Sequence, residues 1–291
     1  CTNAGPSPAA DASCVPSGLP AGATVTCSPA SPLTNLSVGN SISCAVSFTA
    51  PDTGTVTVTG TAGSSTADPV PANNVANQPV GITEQADMRA QTTVPSGVVA
   101  GQSVTVTGVC TNAGPSAAAA PTCVLSGLPA GATQTCTPSP APNPLTVGSS
   151  ITCTSTFVAP VNLGAGGSLA ITTTAGASTA DPVAANNSDT EPLAISPQAD
   201  MQASVSGFPA SGNAGDTITG TVLCTNAGPS PAAASTCTVS GAPPGATVTC
   251  TPSPAPNPLP VGGQISCVVS YTVPASGGVT ITGTAGSSTA D

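Results

Sequence analysis

Apolar and polar side chains alternate along many stretches of this chain. Val104, Val106 and Cys110 fall on one face of an extended segment, and Thr105 and Thr107 fall on the other. Alternation with a period of two residues predicts half-buried β-strands. Further apolar faces of this kind are formed by Ile218, Val222 and Cys224, by Ile42, Cys44, Val46 and Phe48, by Ile265, Cys267, Val269 and Tyr271, and by Val56 with Val58 and Val279 with Ile281.

Turn residues separate these strands. Clusters of Gly-Pro, Pro-Ala-Gly and Asn-Pro interrupt the apolar pattern about every 8–12 residues, which is typical of an all-β sandwich. No stretch has apolar residues at helical spacing, and no run of apolar residues is long enough for a transmembrane segment. We therefore expect an all-β fold of sandwich domains with about seven strands each.

The chain contains three copies of one unit. The heptapeptide CTNAGPS occurs at 1–7, 110–116 and 224–230, and four cysteines follow the same spacing of 13, 13 and 17 residues in every copy. Two further blocks recur in order, SGLPAGATVTC at 17–27 and STADPVPANN at 65–74. A repeat of about 110 residues has the length of one sandwich domain. We expect a segment of a longer periodic polypeptide; the alternative is a subunit completed by strands from its neighbours.

The 12 cysteines offer the main covalent support. Four aromatic residues in 291 leave a core of small side chains, and disulfides with these loop sizes stabilise by about 3 kcal/mol each. If the first and second cysteines of a repeat flank one connecting loop, they lie on opposite sheets, and we expect the same of the third and fourth. The favoured pairs are Cys1–Cys14, Cys27–Cys44, Cys110–Cys123, Cys136–Cys153, Cys224–Cys237 and Cys250–Cys267.

The alternative pairing joins the second cysteine to the third across a hairpin and the first to the fourth between neighbouring strands. Metal or redox sites lack their spacing, because the sequence has no Cys-x-x-Cys and no histidine. Structural disulfides imply an oxidising, extracellular compartment.

Charge and composition exclude several functions. Arg89 is the one basic residue against eleven acids, for a net charge of −10, so nucleic acid is excluded as an electrostatic partner. Without histidine or lysine the chain lacks the usual general bases and nucleophile pairs, so we expect no enzyme.

Acids and asparagines concentrate at the ends of the repeats, where they could bind calcium and stiffen the array. The candidate ligands are Asp68, Asn73, Asn74, Asp87, Asp181, Asn186, Asn187 and Asp200. The simpler interpretation is local turn formation beside proline. Glycans are a second potential addition, because Asn35 and Asn186 lie in Asn-x-Ser sequons and the strands are rich in threonine.

These blocks resemble a known family. T-N-x-G-P-S, L-P-A-G-A-T, V-G-x-S-I-T, D-P-x-x-A-N-N and A-D-M in this order are similar to the Ig-like repeat called "domain of unknown function eleven". The resemblance implies tandem Ig-like domains in secreted or surface-attached bacterial or archaeal proteins, and no catalytic residues. It implies a domain at 1–85 without its first strands, one whole domain at 86–198, and a domain at 199–291 without its last strand. We call these repeat 1, repeat 2 and repeat 3, in chain order.

We therefore expect a non-enzymatic structural array that forms the shaft of an extracellular filament or cell-surface stalk. Its partners would be neighbouring repeats of the same chain, or identical chains in a filament. One alternative is an adhesin whose repeated loops, such as TNAGPS or SPAPNPL, bind carbohydrate or protein. Another is a filament subunit polymerised by strand exchange.

Overall fold

The computed structural model describes residues 1–163 and 166–291 and confirms the prediction of disulfide-stapled β-sandwiches in tandem. Strands cover most of the regular structure, and two short 3₁₀ turns lie at Pro71–Asn73 and Ala184–Asn186. Among these residues, no helix is long and apolar enough to cross a membrane.

Repeat 2 contains two four-stranded sheets. One has the order β11-β12-β9-β7 and the other β10-β13-β14-β8, where β8 pairs in parallel with β14 and the other pairs are antiparallel. The two-residue β8 is an addition to the seven strands that we expected. The strands are β7 (Met88–Thr93), β8 (Val98–Val99), β9 (Ser103–Asn112), β10 (Thr122–Ser126), β11 (Thr133–Thr137), β12 (Ser150–Val158), β13 (Ser168–Gly176) and β14 (Ser188–Ser196).

The core of repeat 2 lies between these sheets. Val106 and Cys110 from β9 are fully buried against Ile171 of β13 and Leu193 of β14, as the alternating pattern predicts. The exposed Thr105 and the half-buried Thr107 and Thr111 of β9 fall on the opposite face, so a sheet with one fully buried side accounts for the period-two pattern.

Repeat 1 has fewer strands and a smaller core. Its sheets have the orders β3-β1-β5-β6 and β2-β4, and Ala12, Cys14, Leu36 and Ile42 form its cluster of buried residues. The strands are β1 (Ala9–Ser17), β2 (Thr24–Ser28), β3 (Leu33–Leu36), β4 (Ser43–Ser47), β5 (Thr55–Gly63) and β6 (Val75–Gly81).

Repeat 3 has a four-stranded sheet of order β15-β16-β19-β18 and a two-stranded sheet of β17 and β20. Tyr271 is buried and stacks on Phe208 with 6.1 Å between ring centroids. The strands are β15 (Met201–Ser206), β16 (Thr217–Asn226), β17 (Thr236–Ser240), β18 (Thr247–Thr251), β19 (Gln264–Thr272) and β20 (Thr282–Gly286).

One predicted strand segment is wrong. Val279 and Ile281 precede β20 and lie in irregular chain. Their equivalents in repeat 2, Leu169 and Ile171, pair with β14, whereas residues 279–281 join none of the strand ladders that the structure describes. Alternation of side chains alone does not make a strand, because a strand also needs the hydrogen bonds of a neighbouring backbone.

The disulfides follow the favoured pairing: Cys1–Cys14, Cys27–Cys44, Cys110–Cys123, Cys136–Cys153, Cys224–Cys237 and Cys250–Cys267. The first pair of repeat 2 joins the two sheets, from β9 to β10. The reason that we gave for the second pair is wrong, because Cys136 and Cys153 face each other on the neighbouring strands β11 and β12 of one sheet. Their Cα atoms are 4.0 Å apart, so the bond locks the register of a hairpin.

Candidate functional site

Three of the recurring sequence blocks meet at the start of each later repeat. In repeat 2 these are the QAD segment (residues 85–87), the TNAGPS loop (residues 111–116) and the STAD segment (residues 178–181). The QAD segment lies between the other two, and we call this arrangement the QAD clamp.

The TNAGPS loop holds one side of the QAD segment by backbone hydrogen bonds. The Ala113 amide donates to the Asp87 carbonyl oxygen at 2.7 Å, and the Ser116 amide donates to the Gln85 carbonyl oxygen at 2.9 Å. The Gln85 amide in turn donates to Ser116 Oγ at 3.1 Å.

The STAD segment holds the other side. The Ala86 amide donates to the Ala180 carbonyl oxygen at 2.9 Å, and the Met88 amide donates to Asp181 Oδ2 at 2.8 Å. Ala86 and Met88 are both fully buried. The backbone groups that burial would otherwise leave without partners are therefore satisfied on both sides.

Repeat 3 builds the same clamp from residues 198–200, 225–230 and 288–291. The equivalent hydrogen bonds run from Ala227 N to Asp200 O at 2.7 Å, from Ser230 N to Gln198 O at 2.9 Å, from Ala199 N to Ala290 O at 2.7 Å, and from Met201 N to Asp291 Oδ2 at 3.1 Å.

A buried asparagine shapes the loop. Asn112 is fully buried, and its Nδ2 donates to the carbonyl oxygens of Ser116 at 3.0 Å and Leu145 at 2.9 Å. Its Oδ1 accepts from the Gly114 amide at 3.1 Å. Asn226 makes the equivalent bonds in repeat 3. This side chain fixes the loop in the shape that receives the QAD segment.

A glycine lets the two backbones approach. A Cβ atom on Gly114 would lie 2.1 Å from the Asp87 nitrogen and 2.4 Å from the Ala86 carbonyl carbon. A Cβ atom on Gly228 would lie 2.1 Å from the Asp200 nitrogen. Only glycine fits at this position when the QAD segment is in place.

The clamp of repeat 2 also contains an ion pair. Arg89 Nη2 donates to Asp87 Oδ2 at 2.6 Å, and Asn186 Nδ2 donates to Asp87 Oδ1 at 2.8 Å. The Arg89 hydrogen bond is the main reason that the pKa of Asp87 lies below its ordinary value, and burial opposes this shift. The same contact raises the pKa of the exposed Arg89.

The calcium candidates serve other contacts in the structure. Asp68 Oδ1 accepts from the Val70 amide and Asp181 Oδ1 from the Val183 amide, both at 2.8 Å, as the local-turn interpretation predicts. Asp200 Oδ2 accepts from Gln202 Nε2 at 2.7 Å.

The candidate asparagines lie beside or within the 3₁₀ turns. Asn73 belongs to the first turn and Asn74 follows it, and Asn186 and Asn187 are their equivalents in repeat 2. The Oδ1 atoms of Asn186 and Asn187 are buried and have no hydrogen-bond partner among the described residues. Within residues 1–163 and 166–291, no three acidic, cysteine or histidine side chains come close enough together to hold a metal ion.

The two sequons differ in accessibility. Asn35 lies on β3 with an exposed side chain, whereas Asn186 is half-buried and uses Nδ2, the nitrogen that a glycan would occupy, to bind Asp87. Of the two, Asn35 offers the free acceptor.

The junction between repeats 1 and 2 is short and tied on both sides. The Ile82 amide donates to the Gly54 carbonyl oxygen of repeat 1 at 3.0 Å, so repeat 1 extends to residue 82. The clamp of repeat 2 begins at Gln85. Only residues 83–84 lie between, and Thr53 Oγ1 donates to the Glu84 carboxylate. Ser116 Oγ of the TNAGPS loop donates across the junction to the Asp52 carbonyl oxygen at 2.7 Å.

The junction between repeats 2 and 3 is shorter still. Ser196 accepts from the Ala100 amide of repeat 2 at 2.9 Å, and the clamp of repeat 3 begins at Gln198. The residue between them is Pro197, which has a fixed φ. A Cβ atom on Gly101 of repeat 2 would lie 3.2 Å from Pro229 Cβ in the TNAGPS loop of repeat 3.

The sequence shows the recurring blocks, but it does not show that they contact one another in the folded chain. Ala86 and Ala180 are far apart in the chain, and only the fold brings them together. The available signal was the recurrence of Asn, Gly and Ser at fixed positions of one loop. Comparison with protein-family models and with curated proteins finds no match to this chain.

Proposed function

We propose that this chain is a structural repeat protein that forms the shaft of an extracellular filament or cell-surface stalk. Its partners are neighbouring repeats of the same polypeptide, and identical chains where filaments bundle. The observation that carries this proposal is the construction of the two junctions, which leave only residues 83–84 and Pro197 between the hydrogen-bonded segments of neighbouring repeats.

Short, tied linkers suit a shaft because they limit bending. Each residue added to a flexible linker lets the two domains that it joins move further relative to each other. In this chain, the last strand of one repeat leads almost directly into the clamp of the next, so the linker allows little relative motion. The bond from Ser116 Oγ to Asp52 adds a contact between the repeats themselves.

The disulfides suit the same role. Each repeat has two disulfides: one closes a hairpin, and the other joins the two sheets in repeats 2 and 3 and ties Cys1 to β1 in repeat 1. They indicate an oxidising compartment. Under tension, a closed disulfide prevents the loop that it encloses from extending. Because disulfides persist in oxidising environments, these bonds support an extracellular location.

The adhesin alternative would need loops with free recognition groups. In the TNAGPS loops, the Asn and Ser side chains of repeats 2 and 3 are buried, and their polar atoms bind the protein's own backbone. In the SPAPNPL loops, Asn143 Oδ1 accepts from the Ala120 amide at 2.8 Å, and Asn257 Oδ1 accepts from Ala234. These recurring residues serve the fold, which favours the shaft.

Immunogold electron microscopy of cells that produce the protein tests this proposal. Antibodies against residues 86–198 should label surface fibres along their whole length. Labelling confined to fibre tips would favour the adhesin, and labelling inside the cell alone would overturn the proposal. A matched antibody against Asn35-containing β3 checks that repeat 1 follows the same distribution.

A further inference from the structure

The charged side chains are unevenly placed along the chain. Three long stretches contain no Asp, Glu, Lys or Arg, namely residues 12–51, 90–180 and 217–290. In repeat 2, the strands from β9 to β13 are therefore uncharged. The strands that carry charge are β7, with Arg89, and β14, with Asp189 and Glu191.

The fold of repeat 2 places these two kinds of strand on opposite sides. Its sheets have the orders β11-β12-β9-β7 and β10-β13-β14-β8. Cys153 Sγ of β12 lies 3.5 Å from the Cys123 carbonyl oxygen of β10, so β10 and β11 share one side of the sandwich. On the other side, Thr92 Oγ1 of β7 donates to the Asp189 carbonyl oxygen of β14 at 2.8 Å. We call the side formed by β10 and β11 the uncharged flank, and the side formed by β7 and β14 the charged flank.

The uncharged flank has an open strand edge. β11 pairs continuously with β12, and no strand among the described residues pairs with its other side. Its equivalents β2 and β18 are also end strands of their sheets. An edge strand presents unpaired backbone N–H and C=O groups, which proteins usually protect with lysine, proline or a bulge. The β11 sequence TQTCT contains no charge and no proline.

Apolar side chains are exposed on the same flank in each repeat. Val124 on β10 is 51% exposed, and its equivalent in repeat 1, Val15 on β1, is 53% exposed. Val25 on β2 and Val248 on β18 are exposed as well. In repeat 1, Val15 and Val25 line a shallow groove of about 620 Å³ between the two edge strands.

We propose that the uncharged flank is the surface at which a second copy of this chain binds, edge to edge through β11 and its equivalents. Identical edge strands can pair antiparallel about a two-fold axis, which satisfies the free backbone groups of both copies. This inference deepens the shaft proposal, on which its role in bundling rests, by naming the surface where identical shafts would meet.

The distribution of charge favours a second copy at this flank. Each chain has a net charge of −10, so two copies repel each other. Contact through the uncharged flank keeps Asp189 and Glu191 of the two copies apart. Added salt shortens the Debye length from about 30 Å at 0.01 M to about 8 Å at 0.15 M, and self-association should therefore tighten over this range.

Two glutamines provide a matched test. Gln134 on β11 and Gln91 on β7 are both exposed and lie on the opposite end strands of one sheet. Gln134→Glu or Gln91→Glu adds one negative charge with almost no change in side-chain size. Sedimentation velocity of the oxidised chain over a concentration series should show a reversible monomer–dimer equilibrium. Gln134→Glu should raise the dissociation constant at least about tenfold, whereas Gln91→Glu should change it less than about twofold.

Hydrogen exchange of the unmodified chain locates the contact without any substitution. Backbone amides in residues 133–137 should become more protected as the chain concentration rises through the dissociation constant. Amides in residues 88–93, on the charged flank, should exchange at the same rate throughout.

Three results would overturn the proposal: a chain that stays monomeric up to about 1 mM, equal effects of the two glutamate substitutions, or concentration-dependent protection of β7 in place of β11. Because hydrogen exchange uses the unmodified chain, it decides the matter even if a variant misfolds. The stiffness of the junctions can be measured on the monomer, so a failure of this proposal is distinguishable from a failure of the shaft proposal.

Discussion

Removal of the hairpin disulfide of repeat 3 should destabilise that repeat by about 3 kcal/mol. Cys250 and Cys267 close a loop with a sequence separation of 17, and the loss of that constraint releases chain entropy in the unfolded state. With a urea dependence of about 1–3 kcal/mol per molar, the unfolding midpoint of a Cys250→Ala/Cys267→Ala variant should fall by about 1–3 M.

The single tyrosine makes this change measurable in one repeat. Tyr271 is buried in the core of repeat 3, so its fluorescence in a urea titration reports the unfolding of that repeat. The matched variant Cys136→Ala/Cys153→Ala removes the equivalent bond from repeat 2, whose buried cluster is separate. It should leave the tyrosine transition unchanged. Equal shifts from both variants, or no shift from the first, would refute this reasoning.

Three further changes follow from the clamp. Asn226→Ala removes four side-chain hydrogen bonds, three within a buried loop and one from the Asp200 amide, and should lower the midpoint of the tyrosine transition by an amount that corresponds to about 2–3 kcal/mol; no change would contradict the role of this residue. Gly228→Ala should also lower the midpoint, whereas Gly278→Ala, with no atom within 4 Å, should not. Arg89→Gln should raise the pKa of Asp87, measured by NMR titration. The stabilisation from this ion pair is full above the ordinary pKa of 3.8 and is lost as the pH falls through the lowered value, so acid unfolding of repeat 2 should begin at higher pH in the variant.

Local patterns predicted strands such as β9, β12 and β19 because one face of each is buried. The alternation at Val104, Val106 and Cys110 directly reflects burial between two sheets. The expectation that the cysteines of each pair flank one connecting loop favoured the observed disulfides, although Cys136 and Cys153 lie within one sheet and not on opposite sheets. Sequence spacing does not distinguish a hairpin pair from a pair between sheets, since both bring the sulfur atoms together.

Long-range contacts were beyond the sequence. The clamp joins segments at 85–87, 111–116 and 178–181, and no local pattern shows which recurring blocks will meet. Strand pairing also depends on neighbours: the apolar pair Val279 and Ile281 has strand-like alternation but no partner to form a ladder. Asp181 illustrates the same limit, because its local contact with the Val183 amide is predictable from the sequence, whereas its contact with the Met88 amide depends on the fold.

Small-angle X-ray scattering of residues 1–291 tests the stiffness of the junctions most directly. If the junctions are stiff, the maximum dimension should equal that of the rigid structure, and the distance distribution should be narrow. A variant with a short Gly-Ser insertion between Thr83 and Glu84 should broaden that distribution, because it separates the tied strand of repeat 1 from the clamp of repeat 2. If the unmodified chain is as flexible as the insertion variant, the junctions do not hold the repeats in line and the shaft proposal is contradicted.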